Sequence, residues 1–92
     1  MYLEIVSPEA TLFSGEVDSV IVPGTAGAFQ MLNNHAPIVS TLKEGIVKIS
    51  GKMDLDESVK DKFEKEDANT TLFKISSGTV EMRNNKLILL AD

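Results

Sequence analysis

Residues 80–90 read Val-Glu-Met-Arg-Asn-Asn-Lys-Leu-Ile-Leu-Leu, and this stretch gives the clearest indication of the fold. Two short apolar runs flank the pair Asn84-Asn85. A two-residue loop of this kind matches a tight β-hairpin turn, because asparagine tolerates the left-handed backbone angles that such a turn requires. We therefore predict two antiparallel strands joined at Asn84-Asn85.

The rest of the chain repeats this organisation. Short apolar runs are separated by glycine, proline and asparagine, and the apolar residues do not recur every three or four positions as in a helix. Short strands at this spacing are typical of a β-sandwich or barrel. We predict an all-β chain with strands at residues 2–6, 11–13, 17–22, 28–32, 37–42, 46–50, 71–76, 79–83 and 86–90.

Length and composition limit the possible functions. The 92 residues, 42% of them hydrophobic and 25% charged, fit one domain spanning 1–92. The absence of cysteine excludes disulfides and thiolate metal sites, and the single histidine, His35, excludes any site that needs two imidazoles. A net charge of -5 with scattered lysines opposes nucleic-acid binding.

No part of the chain resembles a targeting or membrane-spanning segment. An apolar run of about 20 residues would be needed to cross a bilayer, and none is present. The N-terminus also lacks the basic and apolar regions of a secretory signal. We expect a cytoplasmic protein without direct membrane insertion.

Residues 51–70 differ from the rest of the sequence, because more than half of them are charged. Met53, Leu55, Val59 and Phe63 are their only large apolar side chains. Val59 and Phe63 are spaced to form one face of a short helix, so the segment is either a charged insertion loop or a short helix docked on the domain. Its charge favours a solvated loop.

Several predicted strands are apolar on both faces. Successive strand residues point in opposite directions, so runs such as Val20-Ile21-Val22 and Leu87-Ile88-Leu89-Leu90 place large side chains on each side of a sheet. Either another part of the chain covers the second face, or that face binds another protein. The pattern alone leaves both explanations open.

The sequence contains no convincing catalytic, metal or cofactor site. His35 could act as a base, but it lies in Asn-Asn-His-Ala-Pro beside a turn, and no serine occurs in a nucleophile elbow. Acid pairs such as Glu16 and Asp18 are explained more simply as solvated surface residues. We therefore expect a non-catalytic protein that acts through contacts.

A set of short strings points to a known family. They are Ile-Val-Ser-Pro-Glu from Ile5, Leu-Phe-Ser-Gly-Glu-Val-Asp-Ser-Val-Ile-Val-Pro-Gly from Leu12 and Asn-His-Ala-Pro-Ile-Val from Asn34. Leu-Lys-Glu-Gly-Ile-Val-Lys-Ile from Leu42, Ser-Ser-Gly-Thr-Val-Glu-Met from Ser76 and the final Leu-Ala-Asp follow. In this order they closely resemble the N-terminal domain of the epsilon subunit of F-type rotary ATP synthases, over nearly all residues outside 51–70.

This resemblance implies a flattened ten-stranded β-sandwich of two sheets and a rotor function. It also implies a location at the cytoplasmic face of the bacterial inner membrane, where the domain couples the gamma subunit to the membrane c-ring. The resemblance implies no cofactor and no obligate homo-oligomer. The positions that match the family's gamma-facing surface are Ser7, His35 and Ser40, and those that match its ring-facing loop are Thr25, Ala26, Gly27 and Ala28.

Three departures from the family pattern qualify these expectations. Many relatives carry acids at the positions of Ala26 and Ala28, so packing or backbone hydrogen bonds would have to replace any charge pairing with the ring. Residues 51–70 are longer and more charged than the usual hairpin. Relatives usually continue into a helical hairpin after the final Leu-Ala-Asp, so we expect its inhibitory and nucleotide-binding functions to be absent here.

The alternative is a small ligand-binding β-sandwich, for example a carbohydrate-binding module. Such sites usually present several aromatic rings that stack on the ligand. This chain offers Tyr2 and four phenylalanines but no tryptophan, and the core could absorb most of them.

Overall fold

The computed structural model describes all residues from 1 to 92 and contains ten β-strands and one short 3-10 helix. The helix spans Lys60–Lys62 and leads directly into the seventh strand. The strands are β1 (Tyr2–Val6), β2 (Thr11–Glu16), β3 (Ser19–Gly24), β4 (Gly27–Leu32), β5 (Ile38–Leu42), β6 (Gly45–Ser50), β7 (Phe63–Asp67), β8 (Thr70–Ile75), β9 (Gly78–Arg83) and β10 (Lys86–Ala91).

The strands form two five-stranded layers that are joined where β5, an edge strand of layer one, meets β3, an interior strand of layer two. Layer one has the order β2-β1-β10-β9-β5, and layer two has the order β4-β3-β6-β8-β7. One residue pair, Gly24 with Leu42, joins β3 to β5 and makes the hydrogen-bonded network continuous. The two layers are therefore the halves of a single curled sheet.

Layer one contains the only parallel pair. Strands β1 and β10 run side by side from the pair Tyr2–Lys86 to the pair Val6–Leu90, and every other pairing is antiparallel. The strand directions divide the domain into two ends. The first end carries the residues that follow β1 and β10, and the second end carries the Asn84-Asn85 turn.

The predicted hairpin at Asn84-Asn85 is present. Both residues have positive φ angles, 53° and 60°, as a two-residue turn of this type requires. The turn joins β9 to β10 with an unbroken register from Arg83–Lys86 onward. Local backbone preference thus sets the register of this hairpin.

One hydrophobic core lies between the layers. Inward-facing residues alternate with outward-facing ones along most strands, as expected for sheets with one covered face. Burying each large side chain contributes about 1.5–3 kcal/mol, so this cluster is the main source of stability. Its fully buried large side chains include Leu3, Ile5, Val20, Val22, Met31, Val47, Ile49, Val80, Met82, Leu87 and Leu89.

The all-β prediction is confirmed, with two differences in detail. The apolar pattern indicates nine strands, whereas the structure has ten, as the family resemblance implies. The two expected sheets are linked through β3, which has β4 on one side and both β6 and β5 on the other. Because β6 contacts only the first half of β3, the end of β3 is free to pair with β5.

The charged segment 51–70 is ordered and partly embedded in the core. Met53 and Val59 belong to the core cluster, and Phe63 stacks on Phe73 with ring centroids 4.9 Å apart. The Gly51 N–H donates to the Asn69 carbonyl at 2.9 Å and closes the segment at its base. A few apolar anchors therefore hold a stretch whose charges favour solvent.

Candidate subunit-binding surface

The structure brings no set of reactive side chains together. No group of three histidine, aspartate or glutamate residues is placed to hold a metal ion. The His35 ring nitrogen Nδ1 lies 2.7 Å from the carbonyl of the next residue, Ala36, and meets no serine or carboxylate. What the chain offers is surface for contacts with other molecules.

The β3–β4 turn is held rigidly at the first end of the domain. Thr25 and Ala26 form the turn, and Gly27 follows with a φ of +132°, which side-chain-bearing residues rarely adopt. The Thr25 N–H donates to the Thr41 carbonyl at 3.1 Å, and the two threonine hydroxyls lie 2.9 Å apart. The turn is thus fastened to β5, and Thr25, Ala26, Gly27 and Ala28 are all exposed.

A row of uncharged side chains crosses the outer face of layer one near the same end. Register pairs connect its members strand by strand across β2, β1, β10, β9 and β5. Each member belongs to the outward-facing set of its strand. We call these residues the uncharged row: Thr11, Val6, Leu90, Thr79 and Thr41.

Two apolar side chains on this outer face have substantial exposure to solvent. Leu90, in the uncharged row, is 49% exposed, and Val39, next to the row on β5, is 75% exposed. The chain leaves about half of Leu90 and most of Val39 uncovered. Of the two explanations for doubly apolar strands, cover from within the chain therefore fails at this face. On the outer face of layer two Ile21 and Leu72 are half-buried, whereas Ile46 is 54% exposed.

Ser7 lies at the same end as the β3–β4 turn. It follows β1 directly, and its hydroxyl and its N–H both donate to the Ala10 carbonyl, at 3.2 and 2.8 Å. These bonds close the short loop between β1 and β2. Ser7 is thus a loop-fixing residue next to the uncharged row.

His35 lies at the opposite end of the domain. Its N–H donates to the Leu32 carbonyl at 3.2 Å, and the preceding Asn34 N–H donates to the Asn85 side chain at 2.7 Å. The positive φ of Asn34, 61°, lets the chain turn sharply here. His35 is half-buried in a loop fixed to the Asn84-Asn85 turn.

Ser40 lies between these two ends, in the middle of β5. It pairs with Val80 and belongs to the inward-facing set of its strand, where it is half-buried. Its hydroxyl donates to the Thr41 carbonyl at 3.1 Å. Ser7, Ser40 and His35 therefore do not form one cluster, whereas Ser7 and the turn at Thr25 share an end.

Most of the candidate site residues lie in one uncharged stretch of the sequence. From Ser19 to Leu42 the chain has no Asp, Glu, Lys or Arg, although a quarter of all residues are charged. This uncharged stretch forms β3, β4, β5 and their turns, and it contains every candidate site residue except Ser7. Because surfaces that bind other proteins are depleted in charge at their centre, this run is a sequence signal for a contact surface.

The two carboxyl groups whose pKa values are shifted lie elsewhere, in the charged segment 51–70. Hydrogen bonds from the Ser58 hydroxyl and N–H lower the pKa of Asp56. The Asn69 N–H and then the Thr70 hydroxyl lower the pKa of Asp67. Both carboxyls are exposed and bonded locally, so these shifts reflect turn geometry.

The aromatic side chains do not provide a stacking platform for a sugar. Phe13 and Phe73 are buried, and Phe29 and Phe63 are packed against the core. Phe29 and Phe63 are half-buried, and Tyr2 is the one aromatic side chain in the exposed class, with the Lys86 ammonium 5.8 Å from its ring centroid. No helix of the structure has the length and apolar character required to span a bilayer.

The fold and this surface together define a β-sandwich contact domain. Comparison with known families identifies which one: the model of the ATP synthase delta/epsilon chain β-sandwich domain matches residues 1–92. The chain therefore belongs to the ATP synthase delta/epsilon family. This confirms the resemblance drawn from the sequence strings.

Individual relatives agree with the family match. The chain is 39% identical to the ATP synthase epsilon chain of Chlorobaculum tepidum over 90 residues, which cover 98% of this chain and 86% of that one. It is 37% identical to the epsilon chain of Caulobacter vibrioides, covering 100% and 90%. For the epsilon chain of Campylobacter curvus the identity is 35%, and the match covers 100% of this chain but 60% of the relative.

Solved structures show the same fold at low sequence identity. A chain in the Tetrahymena thermophila mitochondrial ATP synthase central stalk and c-ring structure superimposes with a TM-score of 0.69 at 13% identity, covering 99% of this chain and 62% of that one. A chain in the Euglena gracilis mitochondrial ATP synthase structure gives 0.73 at 16% identity, covering 97% and 48%. The β-sandwich is thus shared well beyond recognisable sequence similarity.

Proposed function

We propose that this protein is a non-catalytic rotor subunit of a proton-translocating F-type ATP synthase, where it holds the gamma subunit to the membrane c-ring. Family membership and the names of the relatives support this role. In this role the protein is peripheral to the membrane, at the cytoplasmic face in a bacterium. Its contribution to ATP synthesis is to prevent slip between ring and stalk.

The observation that carries the proposal is the uncharged row on the exposed outer face of layer one, together with Val39 next to it. Val39 and Leu90 expose apolar surface that the chain itself does not cover. Removing about 100 Å² of apolar surface from water contributes about 2.5 kcal/mol, so a partner that covers both side chains gains substantially. Threonines of the uncharged row add hydrogen-bonding groups without the cost of burying charge.

The gamma contact extends along β5 in this proposal. His35 precedes the strand, and Val39 and Ser40 lie within it on opposite faces, so a partner that follows the open edge of β5 meets all three. Ser7 adds a contact at the first end of the domain. The spread from Ser7 to His35 implies a broad contact across the layer, of the size that stable subunit interfaces have.

The β3–β4 turn is the contact with the ring. It is exposed, carries no charge and is fastened to β5 through Thr41, so it presents backbone groups in a fixed geometry. A rigid turn loses little conformational entropy when it binds. Because the turn and Ser7 share one end, ring and gamma would meet the domain side by side.

Titration of purified gamma with this chain tests the first contact. We expect Val39→Asp to weaken gamma binding at least tenfold, because it buries a carboxylate in an apolar interface. His35→Ala should lower gamma affinity more than it lowers the melting temperature. Glu64→Gln, on the exposed strand β7, is the matched control and should bind normally. Unchanged affinity of Val39→Asp would exclude this face as the gamma site.

Cysteine cross-linking tests the ring contact, since the chain has no cysteine of its own. Ala26→Cys should form a disulfide with single cysteines placed in the loops of the c-ring in the assembled enzyme. Glu64→Cys, equally exposed but on β7, should not. Cross-linking of Ala26→Cys to gamma alone would overturn the assignment of the turn while leaving the gamma contact intact.

A further inference from the structure

Strand β4 is an unprotected sheet edge. It pairs with β3 alone, its register is unbroken, and its sequence Gly-Ala-Phe-Gln-Met-Leu contains neither charge nor proline. Exposed edges of this kind readily pair with another strand, and proteins usually blunt them with charges or bulges.

The other two outer edge strands, β7 and β2, have charges or register shifts that discourage pairing. Strand β7 reads Phe-Glu-Lys-Glu-Asp and has a register shift between Lys65 and Asp67. Strand β2 is interrupted by a register shift opposite Ile5 and Val6. The open side of β5 is closed at its end by Gly24 and by the Thr25 N–H. Among the three outer edges, β4 alone combines an even register with a neutral sequence.

The pairing of β4 with β3 determines which backbone groups of β4 face the open side of the sheet. The Lys43 N–H donates to the Pro23 carbonyl at 2.9 Å, so this carbonyl points away from β4. Pro23 faces Ala28, which is therefore a non-hydrogen-bonded pair of the β3–β4 hairpin. Backbone groups alternate along a strand, and consequently those of Ala28, Gln30 and Leu32 face the open side.

We propose that two copies of this chain associate through β4, antiparallel and around a two-fold axis at Gln30. In this register Gln30 pairs with Gln30 of the second copy, and Ala28 pairs with Leu32 at both ends. Every open N–H then finds a carbonyl. The Leu32 carbonyl, which already accepts the His35 N–H, uses its second lone pair.

Side chains fit the same register. Ala28, Gln30 and Leu32 lie on the exposed face of β4, and Leu32 is 54% exposed. Across the axis the large Leu32 side chain packs on the small Ala28 side chain, and the two Gln30 amides can bond to each other. This complementarity of the edge with itself favours a second copy over an unrelated strand.

The association is reversible and weak. A single strand pair is smaller than a standard stable interface, so we expect a dissociation constant between about 1 µM and 1 mM. Each copy carries a net charge of -5, although the edge itself is neutral. Added salt screens this repulsion and should strengthen the dimer, the opposite of an association that depends on salt bridges. The dimer would cover the edge while the protein is outside a complex.

Sedimentation of the full chain from 10 µM to 1 mM tests this proposal. The wild type should show a monomer–dimer equilibrium that salt strengthens. Gln30→Lys, which places two ammonium groups at the axis, should weaken it at least tenfold. Gln30→Thr keeps a neutral strand former and should dimerise. Thr11→Lys, which adds the same charge to the β2 edge, is the matched control and should also dimerise.

Amide hydrogen exchange provides a second readout that does not depend on substitutions. With rising concentration the amides of Ala28, Gln30 and Leu32 should become protected, whereas those of Phe29 and Met31 are protected at all concentrations. A monomer up to 1 mM overturns the proposal. So does a dimer that Thr11→Lys disrupts and Gln30→Lys does not, or protection that appears only with an added partner subunit.

Discussion

The hydroxyl of Thr71 is buried without a hydrogen-bond partner. Thr71 is 0% exposed, lies on the inward face of β8 beside Ile49, and its Oγ1 meets no donor or acceptor. An unpaired buried polar group costs about 1–3 kcal/mol. Threonine favours strands through its branched shape, so valine fits the same site.

We predict that Thr71→Val stabilises the protein. The substitution replaces the unpaired hydroxyl by a methyl group, and the free energy of unfolding should rise by about 1 kcal/mol, or about 4–8 °C in melting temperature. Thermal unfolding followed by circular dichroism measures this. The exposed neighbour variant Lys74→Arg should leave the melting temperature unchanged. A lower melting temperature for Thr71→Val would mean that the hydroxyl is satisfied in solution.

The carboxyl of Asp56 gives a prediction on pH. The Ser58 hydroxyl and N–H hold its pKa below the ordinary 3.8, so its favourable contribution is fully present above the unfolded-state pKa and is lost as the pH falls through the lowered value. In Ser58→Ala the hydroxyl donor is gone, and the pKa of Asp56 should rise towards 3.8. Carbon-13 NMR titration of the carboxyl checks this, with Asp67 as an internal control whose lowered pKa stays unchanged.

For single residues, the sequence predicts backbone preferences better than it predicts the surroundings of a side chain. The Asn84-Asn85 turn could be predicted because asparagine accepts the left-handed angles that the turn needs. The unpaired Thr71 could not, since its burial depends on which face of β8 meets the core. Likewise the sequence placed Ser7, His35 and Ser40 in one set through family resemblance, whereas their separation across the domain depends on strand register.

Among the elements, the charged segment shows how few apolar residues are needed to fix a stretch of chain. Met53 is 4% exposed and packs in the same core as the strands, and the Lys65 ammonium donates to its carbonyl at 3.5 Å. Strand β7 then pairs with β8, and the ion pair of Lys48 with Glu66 at 3.4 Å lies on the exposed side. The segment is therefore part of the folded domain.

We predict that Met53→Ala destabilises the protein by about 2–4 kcal/mol, the usual cost of deleting a buried methionine side chain. Chemical denaturation measures the loss. Lys52→Ala, at the exposed neighbouring position, should change stability by less than about 0.5 kcal/mol. If both variants behave alike, Met53 does not pack in the core in solution.

Strand β7 shows why the apolar pattern gave nine strands. Its only large apolar residue is Phe63, and the remaining four positions are charged. Charge is a common feature of edge strands, because it discourages pairing with other molecules, but it removes the alternation by which strands are recognised. The neutral edge of β4, in contrast, was easy to predict as a strand and gave no indication that it is an edge.

For the whole molecule, the single core predicts a single unfolding transition. Leu87 of layer one and Val47 of layer two belong to the same buried cluster. Leu87→Ala and Val47→Ala should therefore each lower one common midpoint, with coincident curves by circular dichroism and by tyrosine fluorescence. Separate transitions for the two layers would show that the shared core does not couple them. Thr79→Ser, on the outer face, serves as the control and should leave the midpoint in place.

The parallel pairing of β1 with β10 determines how the domain bears mechanical load. These strands lie side by side in layer one and are connected by five register pairs. Because they run parallel, β1 begins at one end of the domain and β10 finishes at the other. A pull applied along them strains all of these pairs at once, in shear, whereas a pull across a hairpin opens its hydrogen bonds one after another. We expect the domain to resist extension most strongly along this axis, which suits the rotor role proposed above.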